Sequence, residues 1–292
     1  MPDLQLLKPH TKDLGGGFMV RRSLPSALRQ GVGPFVFFDH FGPVTIASDA
    51  NVDVRPHPHI GLATVTYLFE GAMMHRDSTG IVQRIEPGAI NLMMAGQGIV
   101  HSERTPPELK GTAYRSHGLQ LWLAVPSERE NDAPSFQHVA AADIPSSTAD
   151  GVEIRVLIGS AYGLASPVRP LSPTLYVNLN FPAGTSAAIR IPAAVEERAL
   201  YGTDEGFELD GVAQPAQTMV VLEPGTEALL AAPRGAHIVM IGGAPLGHRY
   251  MVWNFVSSSK ERIVQAQDDW EARRFPLVPG DEVEFIPLPP RK

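Results

Sequence analysis

Cysteine is absent from all 292 residues, which excludes disulfides and thiolate metal sites and leaves only nitrogen and oxygen to hold a metal. Long apolar runs are missing as well: no window approaches the ~18 uncharged apolar residues that a membrane helix requires. The segment Met1 to His10 carries Asp3, Lys8 and His10 and contains no apolar core of a secretory leader. The expectation is a soluble, cytoplasmic protein that engages no membrane. Positive charge is sparse, with 24 Lys and Arg against 31 Asp and Glu for a net charge of -7, and no basic cluster exceeds Arg21-Arg22. Phosphate backbones demand a dense basic patch, so direct nucleic-acid binding is excluded.

Glycine and proline, 27 each, are abundant and scattered between short runs rich in Val, Ile, Leu and Thr. Short apolar runs separated by turn residues are the texture of an all-β sandwich or barrel. Strands are predicted over 63–69, 81–85, 89–94, 118–125, 153–159, 174–181, 187–191, 218–222, 228–231 and 236–242. His75 to Ile81 reads as a hairpin tip, because Asp77 and Ser78 bond back to local backbone and Gly80 tolerates positive φ. Two segments read as helix: a short one over 127–131, opened by Ser127, and a longer one over 258–274. The longer has Ser258 or Ser259 as cap and Ile263, Val264, Ala266 and Trp270 at helical spacing. A length of 292 residues suits two domains. The weakly patterned stretch from His138 to Gly151 marks the crossing between 1–140 and 141–292, the latter carrying the C-terminal helix. Pro87-Gly88 and Pro224-Gly225, each before a short apolar strand, hint that the second half repeats the first.

The chemistry concentrates in two short segments. In Arg55-Pro56-His57-Pro58-His59-Ile60-Gly61 two imidazoles stand two residues apart, and the strand period of 2 projects both from one face. Continued through odd positions, that face bears Gly61, Ala63, Val65, Tyr67 and Phe69, an apolar interior. Gly96-Gln97-Gly98-Ile99-Val100-His101-Ser102-Glu103 places an imidazole and a carboxylate at the same spacing. On its own, a proline-flanked His-x-His also suits a rigid surface loop with solvated rings; the second pair turns the choice toward a metal. If the two strands are neighbours, His57, His59, His101 and Glu103 converge as an N3O set. Such a set suits a divalent ion, iron(II), manganese, nickel, copper or zinc, with positions open for substrate or dioxygen. The other histidines read as structural: His40 as packing beside a pocket, His75 and His117 as strand-end residues, His10 and His138 as surface residues, and His237 as a lone imidazole.

Pro56 to Tyr67, running Pro-His-Pro-His-x-Gly-x-x-Thr-Val-Thr-Tyr, and Gly96 to Glu103, running Gly-x-Gly-x-x-His-Ser-Glu, resemble the two motifs of the pirin family within the cupins. The likeness continues through Gly33 to Pro43, His75 to Gly80, Leu119 to Trp122 and Gly242 to Leu246, almost the whole chain. It implies two tandem cupin barrels of the double-stranded β-helix or jelly-roll kind, the first metal-binding and the second metal-free. It also implies that His57, His59, His101 and Glu103 are the metal ligands, with iron(II) the foremost ion. The acid that other cupins place four or five residues after His-x-His is missing here, Thr64 standing in its place, so the oxygen ligand falls to Glu103. The segment Arg249 to Phe255 departs from the run of many pirins and suggests a longer bacterial subgroup. The implied activity is that of bacterial pirins with quercetin 2,3-dioxygenase activity, acting on a small aromatic, flavonol-like substrate with Glu103 as base. The alternative is a non-enzymatic, redox-responsive regulator with a protein partner, as in eukaryotic pirins. Short edge strands and many prolines fit a monomer.

Overall fold

The computed structural model describes residues 4–14 and 18–290; Met1 to Asp3, part of the segment read above for a leader, lie outside them. The protein is mostly β and forms two compact units, each assembled from separated stretches of chain. The first unit takes residues 13–20, 41–141 and 247–292; the second takes 1–12, 21–40 and 142–246.

The first unit contains a four-stranded sheet in the order Val54–His59, Ile99–Arg104, Met73–Asp77, Val82–Ile85. Its second sheet runs through Ser135–Val139, Ile90–Met94, Leu62–Glu70 and Tyr114–Ala124. The two face each other: the His59 and Trp122 rings lie 5.2 Å apart, and Gln120 donates to Glu103 across the interior. The second unit repeats this design. A large sheet including Met219–Leu222, Glu197–Gly202, Ala236–Gly243, Thr174–Phe181 and Val152–Ile158 accompanies a four-stranded one of Ala188–Arg190, Leu229–Ala231, Phe207–Leu209 and Val212–Gln214. Leu179, Val177, Leu200, Val220, Leu230, Ile238 and Met240 are buried in its core.

The predicted strands appear at their places, with ends moved by a residue or a few. The ends of the chain do not follow the boundary at 140/141. Strand Gln5–Leu7 pairs with Met219–Leu222 in the second unit. Glu197 there accepts from the backbone N–H of Gly33 at 2.6 Å and pairs with Arg29, which ties residues 21–40 to the same unit. Conversely, helix Lys260–Glu271 belongs to the first unit, not the second. Ser259 caps it by accepting from Arg262 N at 3.2 Å, and Ile263, Ala266 and Trp270 form one stripe buried with Ile60, Val100 and Phe255. Val264 lies off that stripe, 49% exposed. The short helix expected from Ser127 is a 3-10 turn, Ser127–Arg129, preceded by Pro126 and without a side-chain cap. The crossing stretch is partly ordered into strand Ser146–Ala149, paired with Val152–Ile158.

Glycine corners adjoin both strands of interest, Gly61 just after Val54–His59 and Gly96 just before Ile99–Arg104. Gly61 has φ +63° and Gly96 φ +53°, conformations that L side chains adopt at a cost, and Gly61 N–H donates to Gly96 O at 2.9 Å. At Gly61 the chain passes from the four-stranded sheet to the larger one, so the odd-position face is not carried through. Thr66 lies opposite Gln120 and Thr64 opposite Trp122. The even positions therefore face the site, while Val65 and Tyr67 share the other face with Leu121 and Leu119. A Cβ at Gly61 would run into the carbonyl oxygen of Val256. Gly61→Ala is accordingly expected to lose about 3 kcal/mol of stability, read as a lower urea midpoint at unchanged slope.

Candidate metal centre

Strand Ile99–Arg104 lies between Val54–His59 and Met73–Asp77, antiparallel to both. His101 sits opposite His57 on one side and Asp77 on the other; His59 is opposite Ile99, and Glu103 opposite His75. Cross-strand partners share a face, so all six polar residues project into the barrel. His57, His59 and His101 offer ring nitrogens that all lie within 4.8 Å of one another. The three rings are 6%, 1% and 1% exposed, which places the cluster out of bulk water. Glu103 stands outside that group of nitrogens; it is half-buried, and its Oε1 accepts from Gln120 Nε2 at 3.3 Å. Gln120 in turn accepts from the Thr66 hydroxyl at 2.7 Å.

The ring protons are arranged as a cation would require. A carbonyl can only accept, so the contacts of His57 Nδ1 with Arg55 O at 2.9 Å and of His59 Nδ1 with Asn254 O at 3.0 Å place a proton on each Nδ1. Their Nε2 atoms then carry lone pairs. His59 Nε2 and His101 Nε2 approach to 3.1 Å, a distance that a shared cation makes favourable. Burial drives these imidazoles neutral: His57 is lowered to about 4, and His59 and His101 fall well below the usual histidine range, each with neighbouring imidazoles adding to the effect. Burial also pushes the Glu103 carboxyl up to about 7, against the opposing hydrogen bond from Gln120. Neutral nitrogen donors beside an oxygen donor, without sulfur, fit a divalent ion of the iron, nickel, copper or zinc class.

Sequence reasoning placed His75 at a strand end and Asp77 in a turn. The structure buries both, 3% and 0% exposed, with His75 Nε2 and Asp77 Oδ2 3.0 Å apart. Burial alone would raise the Asp77 carboxyl, but hydrogen bonds from His75 and Thr79 hold it below the usual carboxylate value. The His75-x-Asp77 spacing, equal to that of the two ligand pairs, was the available signal. Thr66, Gln120 and Trp122 were missed because the register turns over at Gly61, and Asn254 because a backbone carbonyl leaves no mark in sequence. Phe41 packs away from the trio, with Val20, Leu68 and Ile85. His40 belongs to the second unit, where its Nδ1 meets the Tyr201 hydroxyl at 3.0 Å, a packing role. His117 lies within Tyr114–Ala124, buried against Phe69 at 4.6 Å between ring centres. Among the described residues no helix is long and apolar enough to cross a membrane.

Two cupin barrels, one lined by a buried histidine trio that can hold a metal, define a bicupin protein with a metal-type centre. The chain belongs to the pirin family: residues 17–123 match Pirin and residues 176–276 match the Pirin C-terminal cupin domain. It is 44% identical to a pirin-like protein of Caulobacter vibrioides, over 95% of this chain and 96% of that one. Among solved structures it resembles a quercetin 2,3-dioxygenase from Acinetobacter baumannii at 34% identity and TM-score 0.91, covering 99% of this chain and 96% of the other. A second quercetin 2,3-dioxygenase structure from that organism aligns at 25% identity and TM-score 0.84, over 93% and 96%.

The depressed imidazoles have a measurable consequence in the metal-free protein. Above pH ~6.5 His57 is neutral folded or unfolded and contributes nothing to pH dependence. Below that, the unfolded chain binds a proton that the folded chain refuses until pH falls to about 4, so stability is lost across this window. His57 alone accounts for about 3 kcal/mol, and urea midpoints measured from pH 7 to 4 should fall less steeply in His57→Gln than in wild type.

Proposed function

We propose that this protein is a metal-dependent oxygenase of the quercetin 2,3-dioxygenase type, with His57, His59, His101 and Glu103 as ligands, iron(II) as the working ion and a flavonol-like enol as substrate. The observation that carries this is the convergence of three buried, neutral imidazoles, with Glu103 on the same strand face as His101. A divalent metal, when bound, supplies a Lewis acid that favours the deprotonated enol and, if iron, a redox-active centre for dioxygen chemistry.

The chain's own residues supply the rest. His57 and His59 are held by backbone carbonyls, so the donor set is pre-oriented and needs no rearrangement. Glu103, whose Oε1 accepts from Gln120, accepts the proton of the substrate's 3-hydroxyl. Trp122 beside His59 offers an aromatic wall, and Thr64 and Thr66 line the neighbouring strand. The overall reaction joins one flavonol and one dioxygen, opens the central ring and releases carbon monoxide, both oxygen atoms entering products. The first unit carries this chemistry, and the second is assigned a structural part.

The test is to strip metal, reload anaerobically with iron(II), add quercetin in air, and follow loss of the flavonol absorption band together with carbon monoxide. Turnover by the iron-loaded but not the metal-free protein supports the oxygenase. No turnover with iron(II), manganese, nickel, copper or zinc overturns it and leaves the protein-binding regulator as the reading of the same centre.

A further inference from the structure

The three histidines of the centre are not held alike. His57 and His59 donate Nδ1–H to the carbonyl oxygens of Arg55 and Asn254, whereas His101 Nδ1 faces another imidazole, His75 Nδ1, at 3.4 Å. Behind His75 stands Asp77, its Oδ2 3.0 Å from His75 Nε2. A carboxylate accepts and cannot donate, so the proton between them sits on His75 Nε2. With its one ring proton there, His75 presents a lone pair at Nδ1, which two facing nitrogens tolerate only if His101 Nδ1 carries the intervening proton. That leaves His101 Nε2 bare and turned toward His59 Nε2, 3.1 Å away. The row Asp77, His75, His101 thus reaches by side chains the tautomer that the other two rings reach by backbone.

The row is also rigid. Asp77 Oδ1 accepts from Thr79 N–H at 2.9 Å, from the Thr79 hydroxyl at 2.6 Å and from Ile81 N–H at 3.3 Å. His75 stacks on Phe136 with ring centres 4.6 Å apart and planes 26° from parallel. Neither Asp77 nor His75 belongs to the trio of converging nitrogens.

We propose that Asp77 and His75 are positioning residues that lock His101 in its Nδ1–H form and, through the Asp77 charge, strengthen it as a donor, thereby setting both the affinity and the ferric-over-ferrous preference of the centre. This rests on the metal-centre reading above. A carboxylate behind a ligating imidazole makes the ring more basic, which favours the ion of higher charge. The trio therefore has one electronically adjustable member, His101.

Asp77→Asn is the informative variant. If its Oδ1 keeps the Thr79 and Ile81 donors, the amide group turned toward His75 can only donate. His75 must then carry its proton on Nδ1, and His101 must carry its own on Nε2, where the metal binds. In the metal-free protein, 15N–1H spectra of the histidine rings should show His101 protonated at Nδ1 in wild type and at Nε2 in Asp77→Asn. Competition with a chelator should give iron(II) and zinc affinities about 10- to 100-fold weaker for Asp77→Asn and for His75→Gln, which leaves the Thr79 contacts of Asp77 in place. Ferric-over-ferrous preference should fall about tenfold in Asp77→Asn, a rise in reduction potential of about 59 mV. A wild-type His101 protonated at Nε2, or both variants within twofold of wild type in affinity and potential, overturns the relay. A wild type that takes up no metal overturns the relay and the centre together, whereas a wild type that loads beside equally loading variants overturns the relay alone. Should both variants fail to fold, the wild-type ring spectrum decides.

Discussion

Iron-loaded Glu103→Gln is expected to consume quercetin at least about 100-fold more slowly than the wild-type protein, the span for a lost general base being about 10²- to 10⁴-fold. Glutamine keeps the size of the side chain and can still accept from Gln120 Nε2 through its own carbonyl oxygen, so the Thr66 to Gln120 row need not rearrange. What it loses is the ability to take a proton. The measurement is the initial rate at the flavonol band, with metal content determined on the same samples. Full metal content with a collapsed rate assigns Glu103 as base; a parallel fall in bound metal assigns it as ligand as well. A rate within threefold of wild type at full metal content removes Glu103 from the chemistry.

The second large effect lies away from the histidines. Glu130 and Arg249 have side chains 6% and 5% exposed and form an ion pair at 3.1 Å, while Glu130 also accepts from Ser257 Oγ at 2.7 Å and Ser258 N–H at 2.9 Å. Arg249 Nη2 in turn donates to Val125 O at 2.8 Å. This buried carboxylate anchors the segment that leads into helix Lys260–Glu271 and that contains the Asn254 carbonyl holding His59. Glu130→Ala leaves a buried guanidinium without its counter-charge, at a cost of about 3 to 5 kcal/mol. In calorimetry that corresponds to a fall in melting temperature of roughly 6 to 20 °C. Adding Arg249→Met should recover much of the loss, because an apolar replacement of a buried pair is often near neutral. No recovery in the double variant means that the serine hydrogen bonds, rather than the charge pair, hold the segment.

Much of the centre was legible because it rests on local spacing. His57 and His59, then His101 and Glu103, stand at i and i+2, and a strand cannot put such pairs on opposite faces. The all-β class followed from short apolar runs between turn residues, and Ser259 together with Ile263, Ala266 and Trp270 announced the helix. What escaped detection is non-local. Which barrel a strand joins depends on pairing with residues far along the chain: Gln5–Leu7 finds Met219–Leu222, and the helix finds Ile60 and Val100. The face presented by Leu62–Glu70 was misread because Gly61 leaves the extended region and resets the alternation. Asp77 looked like an ordinary turn residue because it is one, accepting from Thr79 with one oxygen, while its other oxygen faces His75.

The exchange of ends between the two units has a temporal consequence. A ribosome delivers residues 41–141 early, yet the barrel they build draws its helix and the carbonyl partner of His59 from residues 247–292. Synthesis must therefore run past the second barrel before the helix Lys260–Glu271 can pack on Ile60 and Val100 of the first. The Nδ1–H of His59 thus meets its carbonyl partner only once translation has passed Asn254.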